Sequence, residues 1–271
     1  MSRAAEQLDR LMAIVQTLRS EAGCPWDRAQ DIRSMRPFLI EEAYEVLEQM
    51  DSIAEGGPLA PLCEELGDLL FQIVFHAQIG HEQGAFAMAD VVQSICDKIE
   101  LRHPHVFAGR KIQEGDDVDG WWVKLKAEER RRKTGNSGSV LDGVPREAPA
   151  LQRAERLTEK ASRVRFDWTR VEDVRAKVDE ELAELDEAIR GGDRVRIQEE
   201  LGDTLFALAN LGRWLHAPPE DALRGTIGRF VERFSFIEKR LQERGREPSE
   251  SSLEEMDALW NEAKLALKSK T

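Results

Sequence analysis

Glu181 and Glu184 stand three residues apart, and so do Glu200 and Asp203. On a helix that spacing puts both members of a pair on one face. If the two helices pack side by side, four carboxylates converge on one point. Like charges that close raise one another's pKa steeply, so such a group needs a cation to stay ionised. Mg²⁺ meets the need, with Mn²⁺ as a substitute: it is hard, takes oxygen ligands and keeps positions open for water and phosphate. A di-iron bundle is the rival reading of paired carboxylates. It calls for Glu-x-x-His on two helices, and neither motif contains one.

The elements that must position these acids can be read around them. Gly191-Gly192-Asp193 separates the two motifs. A loop that short forces two long helices into an antiparallel pair. At about 100° per residue, Val178, Leu182, Leu185 and Ile189 form a buried stripe. Glu181 and Glu184 lie along one edge of it, with Lys177 between them. Glu187 and Asp179 point the opposite way, as a solvated face does. On the second helix Glu200, Asp203, Ala207 and Asn210 run in one line. In a chain so rich in Glu, a lone EExxE is ordinarily solvated surface. The ExxD partner and a duplication of the whole pattern favour metal binding.

That duplication runs through the sequence. Glu41-Glu42-Ala43-Tyr44-Glu45 returns as Glu180-Glu181-Leu182-Ala183-Glu184, and the eight residues from Glu64 to Phe71 return from Glu199 to Phe206. Trp122 and Lys126 match Trp260 and Lys264, and Lys98 and Arg102 match Arg229 and Arg233. Four features in the same order imply a tandem repeat. Gly56-Gly57-Pro58 breaks the first copy where the glycine pair breaks the second. The glycine- and serine-rich stretch after Lys133, followed by Pro145 and Pro149, marks a linker over 133–148. Two domains are therefore expected, over 1–132 and 149–271. Strand and hairpin signals are weak throughout, so the fold class is all-α, built of two helical bundle modules.

Composition agrees. The 271 residues carry a formal net charge of −13, with 41 % apolar and 34 % charged residues. Such a chain holds a sizeable helical core. Its sign argues against binding nucleic acid, whose phosphates need a basic surface. A small anionic substrate remains compatible, since divalent cations invert the local field. No apolar run is long enough to span a membrane. Leu8, Leu11, Met12, Val15 and Leu18 recur at helical spacing, so the N-terminus reads as a helix rather than a leader. The expected location is cytoplasmic. Cys24, Cys63 and Cys96 are widely spaced and odd in number, which suggests reduced thiols.

Other residues carry bland readings. His103 and His105 flank Pro104 in a loop after a helix, where structural capping outweighs a metal role. His76 and His81 receive no function. Trp26 and Trp168 read first as core, with base stacking as the alternative. Arg130-Arg131-Arg132-Lys133 reads as a solvated helix end.

With these motifs in hand, the sequence resembles the MazG-type nucleotide pyrophosphohydrolases, whose signature is EExxE, a gap, then ExxD. Cys24-Pro25-Trp26-Asp27, Arg102 to Phe107 and Phe166-Asp167-Trp168 extend the likeness over essentially the whole chain. The resemblance implies an all-α bundle that dimerises. It implies cleavage of nucleoside triphosphates, ribo- and deoxyribo-, between the α- and β-phosphates, to monophosphate and pyrophosphate. A housecleaning role in the nucleotide pool comes with it. Carried over to this chain, Glu181, Glu184, Glu200 and Asp203 would bind Mg²⁺. Lys177, Arg229, Arg233 and Lys264 would hold the triphosphate, Trp260 would pack near the nucleotide, and Asn210 would face it. Glu180 and Glu199 flank the ligands, as supports or as a base that orients water.

The first copy keeps its four carboxylates, Glu42, Glu45, Glu65 and Asp68, as a second site. It has Phe38 where the second has Lys177, and Phe75 where the second has Asn210. Two polar groups expected to face the site are thus aromatic there. The C-terminal half is expected to be the principal catalytic unit. The N-terminal half would bind metal weakly, act slowly or serve in assembly. Two alternatives stand beside this reading: a narrower dUTP/dCTP or phosphoribosyl-ATP pyrophosphatase, and a non-enzymatic helical interaction protein with relic sites.

Overall fold

A computed structural model describes residues 2–54, 56–109 and 138–268. Every regular element among them is helical. The chain divides into two compact units, Met1–Glu128 and Glu129–Thr271.

The first unit contains α1 (Arg3–Arg19), α2 (Pro25–Ala29), α3 (Arg36–Ala54), α4 (Ala60–Glu82), α5 (Met88–Arg102) and the single turn α6 (Pro104–Phe107). Helix α1 begins where Ser2 accepts a hydrogen bond from the Ala5 N–H at 3.3 Å. Its apolar face reads as the sequence predicts. Val15 is fully buried with Met35, Val74, Phe75 and Ile79, and Leu8, Leu11 and Met12 pack around them. Each such side chain contributes roughly 1.5–3 kcal/mol on burial, so this cluster holds α1, α3 and α4 together. Arg19 closes its edge. Its guanidinium lies over the Phe75 ring, pairs with Glu82 at 2.7 Å and donates to the carbonyls of Asp27 and Gln30.

The second unit contains α7 (Ala150–Ser162), α8 (Val171–Gly191), α9 (Arg194–Trp214), α10 (Pro219–Gln242), a 3₁₀ turn at Pro248–Glu250 and α11 (Leu253–Lys268). Gly192 ends α8 at φ +70°, a left-handed conformation that costs a residue without Cβ little. Asp193 then caps α9, accepting from the Val195 and Arg196 N–H groups at 3.0 and 3.4 Å. The tight antiparallel pair expected from Gly191-Gly192-Asp193 follows from those two residues. Helix α9 also packs against α7, and α10 packs against α11. Ile237, Leu241 and Leu259 form a second core, flanked by Met256 and Trp260.

Residues 133–137 of the expected linker lie outside the described residues. The remainder includes a turn fastened to the second unit, where Lys160 Nζ donates to the Asp142 carbonyl at 2.8 Å.

Three expectations need correction. The buried stripe of α8 is Val174, Val178, Glu181 and Ala188, not Val178, Leu182, Leu185 and Ile189. Leu182 and Ile189 are 42 % and 55 % exposed. Among the described residues helix α8 has one principal neighbour, α9, so the side toward α9 is the covered one, and Glu181 is on it. Trp26 and Trp168 are not core residues: both are about half exposed, Trp26 resting edge-on against Phe38 at 5.7 Å. His105 lies in the turn α6 rather than a loop. His103 caps α5 as expected, its Nδ1 2.7 Å from the Ile99 carbonyl oxygen.

The three cysteines are free thiols. No described helix is long and apolar enough to cross a membrane.

Candidate active site

In the second unit Glu181 and Glu184 come from α8 and Glu200 from α9. One carboxylate oxygen from each lies within 4.8 Å of the others. The glycine-aspartate turn sets this up, because it fixes how far α9 slides along α8. Glu181 is buried, at 7 % exposure, which no solvated acidic face allows. Burial first, then the charges of Glu200 and Glu181, raises the pKa of Glu184. Asp203 follows Glu200 by one turn of α9 but is exposed and stands outside the trio.

Two cations already answer part of this charge. Lys177 Nζ contacts Glu180 at 2.6 Å and Glu181 at 2.8 Å. Those two contacts hold its ammonium protonated well above the usual lysine range. Arg196 reaches Glu200 at 3.4 Å. Lys177 is thus partly exposed at the edge of the cluster, 35 % accessible. Glu180 and Glu199, next in sequence to Glu181 and Glu200, are exposed.

The remaining candidates fall elsewhere. Arg233 lies over the Trp260 ring at 5.4 Å, and Phe230 packs on the same ring at 5.3 Å. Arg229 donates to Thr226 Oγ1 and Lys264 to Asn261 Oδ1. These four candidates share the α10–α11 pair and make no hydrogen bond or ion pair with the acidic trio among the described residues. Asn210 is buried, its Oδ1 accepting from Arg213 Nε at 2.9 Å. Arg213 in turn binds Asp167, which also accepts from Trp214 Nε1. Asn210 therefore belongs to the interior network that ties the Phe166–Trp168 segment to α9. Its counterpart Phe75 is likewise a core residue, fully buried. Both positions are thus interior ones in their own units.

The first unit builds the same trio. Glu42, Glu45 and Glu65 bring one oxygen each within 4.8 Å, and all three are half-buried. Burial and then the charges of Asp68 and Glu45 raise Glu42; burial and then Glu45 and Asp68 raise Glu65. Phe38 occupies the place of Lys177. Lys98 and Arg102 are on α5, whereas Trp122 and Lys126 lie outside the described residues. The sequence reading missed Gln72, which is 3 % exposed and donates through Nε2 to Glu42 Oε1 at 3.4 Å. A signal was present, since Gln72 follows Asp68 by four residues and so continues the acidic line of α4.

Fold and site together define an all-helical protein with a carboxylate cage built twice, each time on an antiparallel helix pair. The comparisons identify the lineage. The model of the MazG nucleotide pyrophosphohydrolase domain matches residues 30–107 and 170–233. Both acidic trios fall inside these segments, as do Arg229 and Arg233; Trp260 and Lys264 lie beyond them. The chain is 42 % identical over 261 residues to the nucleoside triphosphate pyrophosphohydrolase of Escherichia coli K12, covering 95 % of this chain and 97 % of that protein. It is 40 % identical over 269 residues to the nucleoside triphosphate pyrophosphohydrolase/pyrophosphatase MazG of Thermotoga maritima, covering 97 % and 98 %. The uncharacterized Bacillus subtilis protein YabN is 43 % identical over 253 residues, which are 93 % of this chain and 50 % of YabN. The chain belongs to the MazG nucleotide pyrophosphohydrolase family.

Proposed function

We propose that this protein hydrolyses nucleoside triphosphates at the α–β phosphoanhydride, releasing nucleoside monophosphate and pyrophosphate, with Mg²⁺ as the working cation. The observation that carries the proposal is the meeting of Glu181, Glu184 and Glu200 from two helices at one partly buried point. Those distances suit a hard divalent cation that takes carboxylate oxygens. Asp203, one turn from Glu200 on α9, is the proposed fourth acid. A cation held by these carboxylates would lower the pKa of water and offset phosphate charge. Mn²⁺ fits the same oxygen set.

The chain's own residues supply the rest. Lys177 is permanently cationic beside Glu181, and it offsets negative charge on an incoming phosphate. Glu180 holds Lys177 in place and Glu199 borders the ligands; either carboxylate can orient a water molecule. Arg233 over the Trp260 ring, with Arg229 one turn before it on α10 and Lys264 one turn after Trp260 on α11, would serve the distal phosphates and the nucleoside. The C-terminal unit is the principal catalytic one, because Lys177 pairs with its trio where the first unit has Phe38. A second copy of the chain would cover the exposed apolar face formed by Leu182 and Ile189 of α8 with Leu201 and Leu205 of α9.

Incubation of the purified protein with a panel of ribo- and deoxyribonucleoside triphosphates and Mg²⁺ tests the proposal. Pyrophosphate in equal amount to monophosphate, from many triphosphates, is the expected result. Orthophosphate and diphosphate, or no product, would refute it.

A further inference from the structure

The two acidic trios look alike in sequence but differ in what surrounds them. In the C-terminal unit Lys177 pairs with Glu181 and Arg196 with Glu200. A divalent cation entering that cluster must displace or share both ion pairs. At the matching places the N-terminal unit has Phe38 and Pro61. Among the described residues Glu42, Glu45 and Glu65 form no ion pair, and none offsets their charge as Lys177 and Arg196 do in the second unit.

Gln72 adds to this difference. Its side chain is buried on α4 against Glu42; among the described residues only the amide nitrogen is engaged, and its buried Oε1 has no hydrogen-bond partner. An unpaired buried amide oxygen is destabilising. A molecule retains such a group when something else completes it. The equivalent residue of the C-terminal unit is Ala207, which offers no oxygen. A glutamine carbonyl is an ordinary ligand for a hard divalent cation.

We propose that Gln72 supplies an additional oxygen donor to a divalent-cation site at Glu42, Glu45 and Glu65, and that this N-terminal site fills without nucleotide and more tightly than the C-terminal one. This rests on the reading of the trios as cation sites, and it reverses the expectation that the N-terminal half binds metal weakly. The N-terminal unit holds a resident cation that fastens α3 to α4. The C-terminal unit, screened by Lys177 and Arg196, takes its cation together with the triphosphate.

Titration of the full chain with Mn²⁺ alone, read by electron paramagnetic resonance or calorimetry, tests this. The wild type should show one tighter and one weaker site. Glu45→Ala should remove the tighter, and Glu184→Ala the weaker. Gln72→Leu should weaken the tighter site about tenfold or more. Gln72→Glu, which keeps an oxygen there but loses the donor to Glu42, should hold affinity near that of the wild type. Loss of the tighter site in Glu184→Ala would overturn the proposal. So would unchanged Mn²⁺ binding in Gln72→Leu, or equal weakening in both Gln72 variants, which would reduce Gln72 to a prop for Glu42. If Gln72→Leu lost its helical circular dichroism, Gln72→Met would replace it, and the order of the sites would still be decided by Glu45→Ala and Glu184→Ala. Pyrophosphate release by the wild type is measured alongside. Its absence would end the hydrolase reading while leaving the Mn²⁺ result intact.

Discussion

The N-terminal and C-terminal carboxylate cages share their acids and their helix pair, yet they are provided with opposite neighbours. Around Glu181, Glu184 and Glu200 stand Lys177 and Arg196; around Glu42, Glu45 and Glu65 stand Phe38, Pro61 and the amide of Gln72. On the proposed reading the acids provide for a cation, and the neighbours would set whether it binds before substrate or with it. A duplicated motif would then keep its ligands and divide its labour.

The largest effect expected is from the cation itself. Chelation should lower turnover on the order of 1,000-fold, and Mg²⁺ should restore it. Glu200→Ala should come close to that loss while Glu65→Ala costs only a few-fold, measured as pyrophosphate release. Equal losses would erase the distinction between the cages. Lys177→Met is next. It should reduce turnover about tenfold or more, by removing charge from the phosphate path, and at the same time tighten Mn²⁺ binding at the C-terminal cage. Loss of both activity and Mn²⁺ affinity would show that Lys177 merely braces Glu181.

A pH series sharpens the comparison further. Glu42, Glu65 and Glu184 all have raised pKa values, first through burial and then through neighbouring carboxylates. A raised carboxyl favours the folded state while protonated. That contribution is complete below the ordinary glutamate range and is lost as pH climbs through the raised folded values. Near neutrality the metal-free cages thus weaken the fold, and a cation relieves them. The rise in Tm caused by Mg²⁺ should grow between about pH 5 and about pH 7.5. Combining Glu45→Gln with Glu184→Gln should flatten it.

The smallest effect concerns the turn that sets the C-terminal cage. Asp193→Ala removes the cap of α9 and should cost about 1 kcal/mol of stability, seen as a lower Tm with Mg²⁺ binding retained.

Much of this architecture was legible beforehand. Gly192 and Asp193 announced both the end of α8 and the start of α9, and the acids then had to meet. The spacing of Leu8, Leu11, Met12 and Val15 announced α1. What periodicity could not supply was the number of neighbours each helix has. Helix α8 is covered mainly by α9, so Glu181 is buried and Leu182 is not, the reverse of what hydrophobicity alone suggests. Long-range partners were equally hidden. Nothing in the spacing tells that Arg213 clasps Asp167 and engages Asn210, or that Arg19 seals Phe75 and Glu82. Those contacts depend on how segments far apart in the chain are brought together.

The measurement that bears most directly on the central claim is pyrophosphate release from one nucleoside triphosphate with Mg²⁺, compared across the wild type, Glu184→Ala and Glu45→Ala. The carboxylates of α8 and α9 are predicted to carry the reaction, so Glu184→Ala should fall to background and Glu45→Ala should retain most of the rate. Retained hydrolysis in Glu184→Ala, with loss in Glu45→Ala, would contradict the account.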